Sequence, residues 1–183
     1  MKSILIIIDI QNGFARYEQT KDLGEKVVKL SNSGFFDTVI ATRFINNEGS
    51  PYTEFLNWHR LMASPEIDLV DGLKADIVVD KPIYTCVNEE FIKLLQEQNN
   101  GQKPRAVFVC GADTDCCVLT IANDLFQNGI KPLVLLNYCN SNGGPQSHQA
   151  GKLAMQRLIG NNSLIEGEIT SKEDIIKILN EQA

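Results

Sequence analysis

Three short stretches of the chain carry side chains that could do chemistry together. The run Ser3-Ile-Leu-Ile-Ile-Ile-Asp9 ends in a carboxylate, Asp76-Ile-Val-Val-Asp80 is followed by Lys81-Pro82, and Gly111-Ala-Asp-Thr-Asp-Cys-Cys-Val118 holds two adjacent thiols. A thiol is a nucleophile once deprotonated, a carboxylate can take its proton, and a lysine can balance the charge that results. If the cysteines open a helix, its unpaired N–H groups and positive dipole end favour thiolate and supply donors for the oxyanion of an attacked carbonyl. That set suits acyl transfer through a covalent thioester. Each group also has a plainer reading. Free cysteines are often small core residues, Asp9 can cap a turn with Gln11, Asn12 and Gly13, and a single lysine is usually solvated. Residue types alone leave open which of Cys116 and Cys117 would react.

The elements around these groups decide whether they can meet. Ala106 to Cys110 is an apolar run suited to a strand buried on both faces; Gly111 ends it. Asp113, Thr114 and Asp115 then start a helix in which Val118, Ala122 and Leu125 recur at helical spacing, and Gly129 is its stop. Further strands are predicted at Ser3–Asp9, Thr38–Arg43, Asp76–Asp80, Lys131–Leu136 and, weakly, Ser163–Ile165. Helices are predicted at Thr20–Leu30, Glu89–Gln98, after the Gly143-Gly-Pro145 turn through Leu153, Met155 and Leu158, and at Ser171–Leu179. Strands alternate with helices, which predicts one α/β domain over residues 1–183: three layers around a doubly wound, mostly parallel six-stranded sheet. In such sheets ligands bind beyond the carboxyl ends of the strands, where Asp9, Lys81 and the cysteine pair fall. The longer excursion from Asn46 to Ser64 has the length of a lid or subunit contact. Its Trp58-His59 pair either meets a substrate or packs a short helix against a neighbour.

The totals exclude several classes. With 183 residues, net charge −6 and no basic cluster, nucleic-acid or anionic-membrane binding is not expected. The longest apolar run, Ile4 to Ile8, is too short to span a bilayer, and the start of the chain lacks the apolar region of a signal peptide. Five scattered cysteines, an odd number, fit neither a disulfide framework nor a paired CxxC zinc site; a reducing cytoplasm is the expected compartment. No GxGxxG follows the first strand, so no dinucleotide site is expected.

Taken in order, Ile-Ile-Asp9-Ile-Gln-Asn-Gly-Phe14, Lys81-Pro-Ile-Tyr84 and Gly111-Ala-Asp-Thr-Asp-Cys-Cys-Val118 resemble the isochorismatase-like cysteine hydrolase superfamily, which includes nicotinamidases, N-carbamoylsarcosine amidohydrolases and ureidoacrylate amidohydrolases. The third motif is the most specific, matching Gly-x-x-Thr-Asp-x-Cys-Val. The resemblance implies that Cys117, immediately before the valine, is the nucleophile, with Asp9 as base and then acid and Lys81 as charge stabiliser. It also implies a cis peptide between Ala112 and Asp113 and an oxyanion hole formed by the N–H groups of Asp113 and Cys117. Cys116 falls on a variable position and is read as packing. By their place relative to the motifs, Phe14, Phe44, Trp58 and Tyr84 are candidates for a substrate pocket. Family members form dimers or tetramers, so a homo-oligomer is expected, with 46–64 as a candidate contact. Nicotinamidases carry an Asp-x-His metal motif after the second strand; here the segment reads Thr42-Arg-Phe-Ile-Asn-Asn-Glu48, without histidine, so no metal and no cofactor are expected. The implied reaction is hydrolysis of an amide or ureido C–N bond in a small molecule. Isochorismatase-type vinyl ether hydrolysis is the alternative, and a redox or partner-binding role for the vicinal cysteines is a remoter one, because adjacent cysteines close only a strained ring.

Overall fold

The computed structural model describes residues 2–181. Its centre is β1 (Ile4–Ile8), every residue of which is buried. It pairs in parallel with β2 (Thr38–Phe44) on one side, and beyond β2 lies β3 (Ile77–Lys81). On its other side follow β4 (Ala106–Ala112), β5 (Lys131–Asn140) and the short β6 (Leu164–Ile165). The order β3-β2-β1-β4-β5-β6 is all-parallel, so the chain winds outward in both directions from the boundary between β1 and β4. That boundary is the switch point where an open α/β sheet forms its ligand crevice. Continuous buried apolar runs suit the two central strands because helices cover both faces of such a sheet, giving a three-layer α/β fold.

The helices are α1 (Glu18–Ser31), α2 (Pro51–Leu56), α3 (Glu89–Gln98), α4 (Leu119–Gln127), α5 (Pro145–Ile159) and α6 (Lys172–Glu181). None among the described residues is long and apolar enough to cross a membrane. The boundaries move where side chains take over from periodicity. Helix α1 begins at Glu18 rather than Thr20, because the Thr20 hydroxyl accepts the Tyr17 N–H at 3.1 Å and fixes the entry one turn earlier. In α5 the inward stripe is Gly151, Met155 and Ile159, spaced four apart, which leaves Leu153 and Leu158 exposed.

The helix expected to start at Asp113 does not start as an α-helix. Thr114–Val118 forms one π-helical turn, and α4 follows it. The N–H groups of Cys116 and Val118 both donate to the Asp113 carbonyl, at 3.0 and 3.1 Å, which widens the turn by a residue. Two glycines seat it. Gly111 has φ +127, and a Cβ there would lie 2.1 Å from the Ile8 carbonyl oxygen, so only glycine lets β4 close on β1 at this level. Gly151 brings α5 against the turn itself: a Cβ would fall 2.8 Å from the Asp115 nitrogen. The Ala112–Asp113 and Ser64–Pro65 peptides are cis.

The main core runs through β1, β4 and β5 into α1, α4 and α5. A second, separate cluster of Phe44, Tyr52 and Leu61, with Phe14, Trp58 and Ile67 against it, lies under the excursion between β2 and β3.

Candidate active site

Asp9 follows the last residue of β1 with φ +51, a left-handed conformation that aspartate tolerates better than most residues, and it is fully buried. Its N–H and its Oδ1 both meet the Thr42 hydroxyl on β2, at 3.2 and 2.7 Å, which fixes the carboxylate plane. Gln11, also fully buried, locks the strand exit. Its amide donates to the Phe44 and Ile67 carbonyls at 3.0 and 2.9 Å and accepts the Phe44 N–H at 2.8 Å. Gln11 is therefore a clamp between elements rather than a turn cap.

Lys81 ends β3 and is 2% exposed. Its Nζ lies 2.7 Å from Asp9 Oδ2 and 3.4 Å from Cys117 Sγ, donates to the Ile83 carbonyl at 3.2 Å, and sits 5.1 Å above the Phe44 ring. Burial pulls the ammonium toward neutrality, but Asp9 and Cys117 outweigh it and hold Lys81 above its ordinary value. The contact with Asp9 is one of charge with charge, off the angle of a hydrogen bond. Asp9 Oδ2 is thus shielded from solvent with the Lys81 ammonium as its charge partner.

Cys117 stands in the π-helical turn, buried, with the Asp9 carboxylate within hydrogen-bonding reach of its thiol. Burial and the negative charge of Asp9 push this thiol well above its usual range, against the pull of Lys81. Both causes favour the neutral thiol over the thiolate. The thiolate bias expected from a helix start is overturned here, because desolvation and an anionic neighbour outweigh a helix terminus. Cys116 is half-buried and faces the same cavity, and burial raises its thiol to about 11, with Asp115 and Asp113 adding to the shift. Asp115 accepts the Ser141 hydroxyl at 2.5 Å. Thr114 meets His148 Nδ1 at 2.8 Å, bracing the turn from α5.

Above the thiol opens a cavity of about 260 Å³. Phe14, Phe44, Trp58 and Tyr84 all line it. Phe14 and Trp58 stack at 6.2 Å with an interplanar angle of 18°. Sequence reasoning missed Tyr52, Leu56, Arg16 and Asn142, which complete the wall. Tyr52 meets Phe44 and Tyr84 edge-on at 4.9 and 5.1 Å. His59, next to Trp58, is not among the lining residues; its ring meets Asn57 at 3.0 Å and Glu48 at 3.8 Å.

A model of the isochorismatase domain matches residues 3–165. No curated protein matches the sequence. Among solved structures, an isochorismatase-like hydrolase from Alkaliphilus metalliredigens superposes with a TM-score of 0.71 at 16% identity, covering 98% of this chain and 99% of its own. The nicotinamidase/pyrazinamidase of Bacillus subtilis gives 0.74 at 21% identity, covering 92% and 100%. The pyrazinamidase of Pyrococcus horikoshii, solved in complex with zinc, gives 0.70 at 20%, covering 92% and 100%. The residues present here do not fit such a metal. After β2, Arg43 pairs with Asp80 at 2.7 Å, and the Asn46 amide donates to the Trp58 and Arg60 carbonyls at 2.9 and 3.1 Å. Among the described residues no three His, Cys, Asp or Glu side chains converge to hold an ion.

Proposed function

The chain belongs to the isochorismatase domain family of hydrolases, and on that premise we propose that it cleaves the C–N bond of a small amide or ureido compound through a thioester on Cys117. One observation carries the reading: Asp9, Lys81 and Cys117 form a continuous contact network beneath an aromatic cavity that Cys117 lines. The nearby nicotinamidase and pyrazinamidase structures are named for single-ring amides, a size that suits a cavity of about 260 Å³, just below the ~300–1,000 Å³ of drug-sized small-molecule sites.

As Sγ attacks the substrate carbonyl, Asp9 Oδ2 takes the thiol proton and Lys81 balances the charge on sulfur. The tetrahedral oxyanion faces the N–H groups of Asp113 and Cys117. Asp9 then gives its proton to the leaving nitrogen, the C–N bond breaks, and ammonia or an amine departs. Water enters, loses a proton to Asp9 and attacks the thioester. The carboxylic acid leaves and the thiol is restored.

The test is ammonia release from a panel of aromatic and heteroaromatic carboxamides and ureido compounds, with intact-mass detection of an acyl adduct. Wild type should turn over at least one member, with and without EDTA, and Cys117→Ala none. Turnover that disappears with EDTA and returns with zinc would overturn the metal-free reading. Turnover retained by Cys117→Ala would overturn the nucleophile.

A further inference from the structure

The cavity contains a polar group that this mechanism does not use. Among the described residues lining it, Asp113 is the one carboxylate. Its Oδ1 accepts both the backbone N–H and the side-chain amide of Asn142, each at 2.8 Å. Its Oδ2 takes no hydrogen bond among the described residues, yet is not one of the sealed, unpaired atoms, so it reaches accessible space in a residue that lines the cavity. The side chain is held rigidly by one oxygen and presents the other to whatever enters. Around it the wall is rings, which hold a flat ligand by stacking but do not distinguish one flat ligand from another.

Building on the amide-hydrolase reading, we infer that Asp113 is a specificity-determining residue: its free carboxyl oxygen accepts a hydrogen bond from an N–H on the non-reacting part of the substrate. The favoured substrates are amides that carry an amino, ring N–H or ureido donor, rather than plain carboxamides. A buried polar group discriminates in this way because a ligand lacking the donor leaves the carboxylate desolvated and unpaired.

Burial lifts the Asp113 carboxyl to about 6 against the two bonds from Asn142, with Asp115 and Asp9 adding to the rise. Tyr84, Cys116 and Arg16 also line the cavity, and His148 on α5, lowered by burial, contacts the turn through Thr114. The acceptor is therefore present above pH about 6 and lost below it.

Trp58, the single tryptophan of the chain, lines the cavity and reports binding without turnover. The experiment titrates benzamide and the three isomeric aminobenzamides into Cys117→Ala protein, with and without Asp113→Asn, following Trp58 quenching from about pH 5 to pH 8. At least one aminobenzamide should bind about tenfold more tightly than benzamide at the upper pH, as a charge-assisted bond gives. That preference should fade below pH about 6. Asp113→Asn should abolish it at every pH, because the amide oxygen is drawn to the Asn142 donors and the NH2 then faces the ligand, a donor against a donor. Benzamide binding with no discrimination, or a preference that survives Asp113→Asn, overturns the inference and leaves the amide reading standing. If none of the four amides binds, the inference fails, while the amide reading is judged separately by turnover of the wider panel of carboxamides and ureido compounds.

Discussion

Removing one or the other member of the buried ion pair should move thiol reactivity in opposite directions while turnover falls in both cases. The Lys81 ammonium lies 3.4 Å from Cys117 Sγ. At an effective dielectric of about 20, an ammonium at that range attracts a thiolate by about 5 kcal/mol. If relaxation leaves about 3 kcal/mol of this, losing it lowers the thiolate population by ~10²-fold. Lys81→Met should therefore slow alkylation of Cys117 by about that factor and abolish turnover. Asp9→Asn acts in the opposite sense on the sulfur: it removes the anion that holds the thiol protonated and leaves the ammonium in place. Alkylation should then match or exceed the wild-type rate, while turnover falls ~10²–10⁴-fold for want of a positioned base. The assay is the pseudo-first-order rate of iodoacetamide modification at neutral pH, followed by mass spectrometry in a Cys116→Ala background. Lys81→Met alone strands a buried carboxylate, a loss of ~3–5 kcal/mol that threatens the fold. The Asp9→Asn/Lys81→Met double variant avoids that and should alkylate at a rate between those of the two single variants. If Asp9→Asn alkylates as slowly as Lys81→Met, the charge balance described for the site is wrong. If it turns over substrate at the wild-type rate, Asp9 is not the base.

Cys116→Ala should retain most activity, since neither Lys81 nor Asp9 contacts its sulfur, and loss of turnover there would shift the nucleophile by one residue. Gly111→Ala should fail to fold or lose at least ~3 kcal/mol in urea titrations, because its Cβ meets the Ile8 backbone. Gly34→Ala, with φ +70 but open space around it, should lose only ~1 kcal/mol, and equal losses at the two positions would refute the close-approach account. Burial raises the thiols of Cys86 and Cys139 to about 12 and those of Cys110 and Cys117 well beyond their ordinary 9.0. The folded state thus holds these protons while the unfolded chain releases them, so stability is intact below pH 9.0 and falls as pH rises toward the folded values. Thermal melts should show a lower Tm at pH 10 than at pH 8, and an unchanged or higher Tm would contradict the burial of these groups.

The sheet was legible because its central strands β1 and β4 are apolar runs, and the positions of Asp9 and Lys81 follow from where the predicted strands end. The motif around Cys117 was legible because glycine, threonine, aspartate and cysteine at fixed spacing belong to a local turn. What stayed hidden is non-local. The π-helical turn depends on one carbonyl receiving two N–H groups, which no spacing encodes. Asn142 reaches Asp113 only because β4 and β5 shift register between Val109 and Gly111, bringing Asn140 level with Ala112. The protonation of Cys117 depends on complete burial beside Asp9, which residue order does not reveal. Leu153 and Leu158 have helical spacing, but the small Gly151 decides which face of α5 is drawn inward.

The two hydrophobic clusters divide the protein into parts that can change independently over evolution. Cys117 belongs to the main core, whereas Tyr52, Leu56 and Trp58 belong to the excursion, which rests on its own cluster of Phe44, Tyr52 and Leu61. Surface connections tolerate substitution and insertion far better than central strands do. A lineage built on this plan can redraw its cavity wall, and with it the shape of molecule admitted, without disturbing the strands that aim the thiol. For directed evolution, positions 56 and 58, outside the buried trio, form a compact library that varies the cavity wall while leaving Cys117 and its neighbours in place.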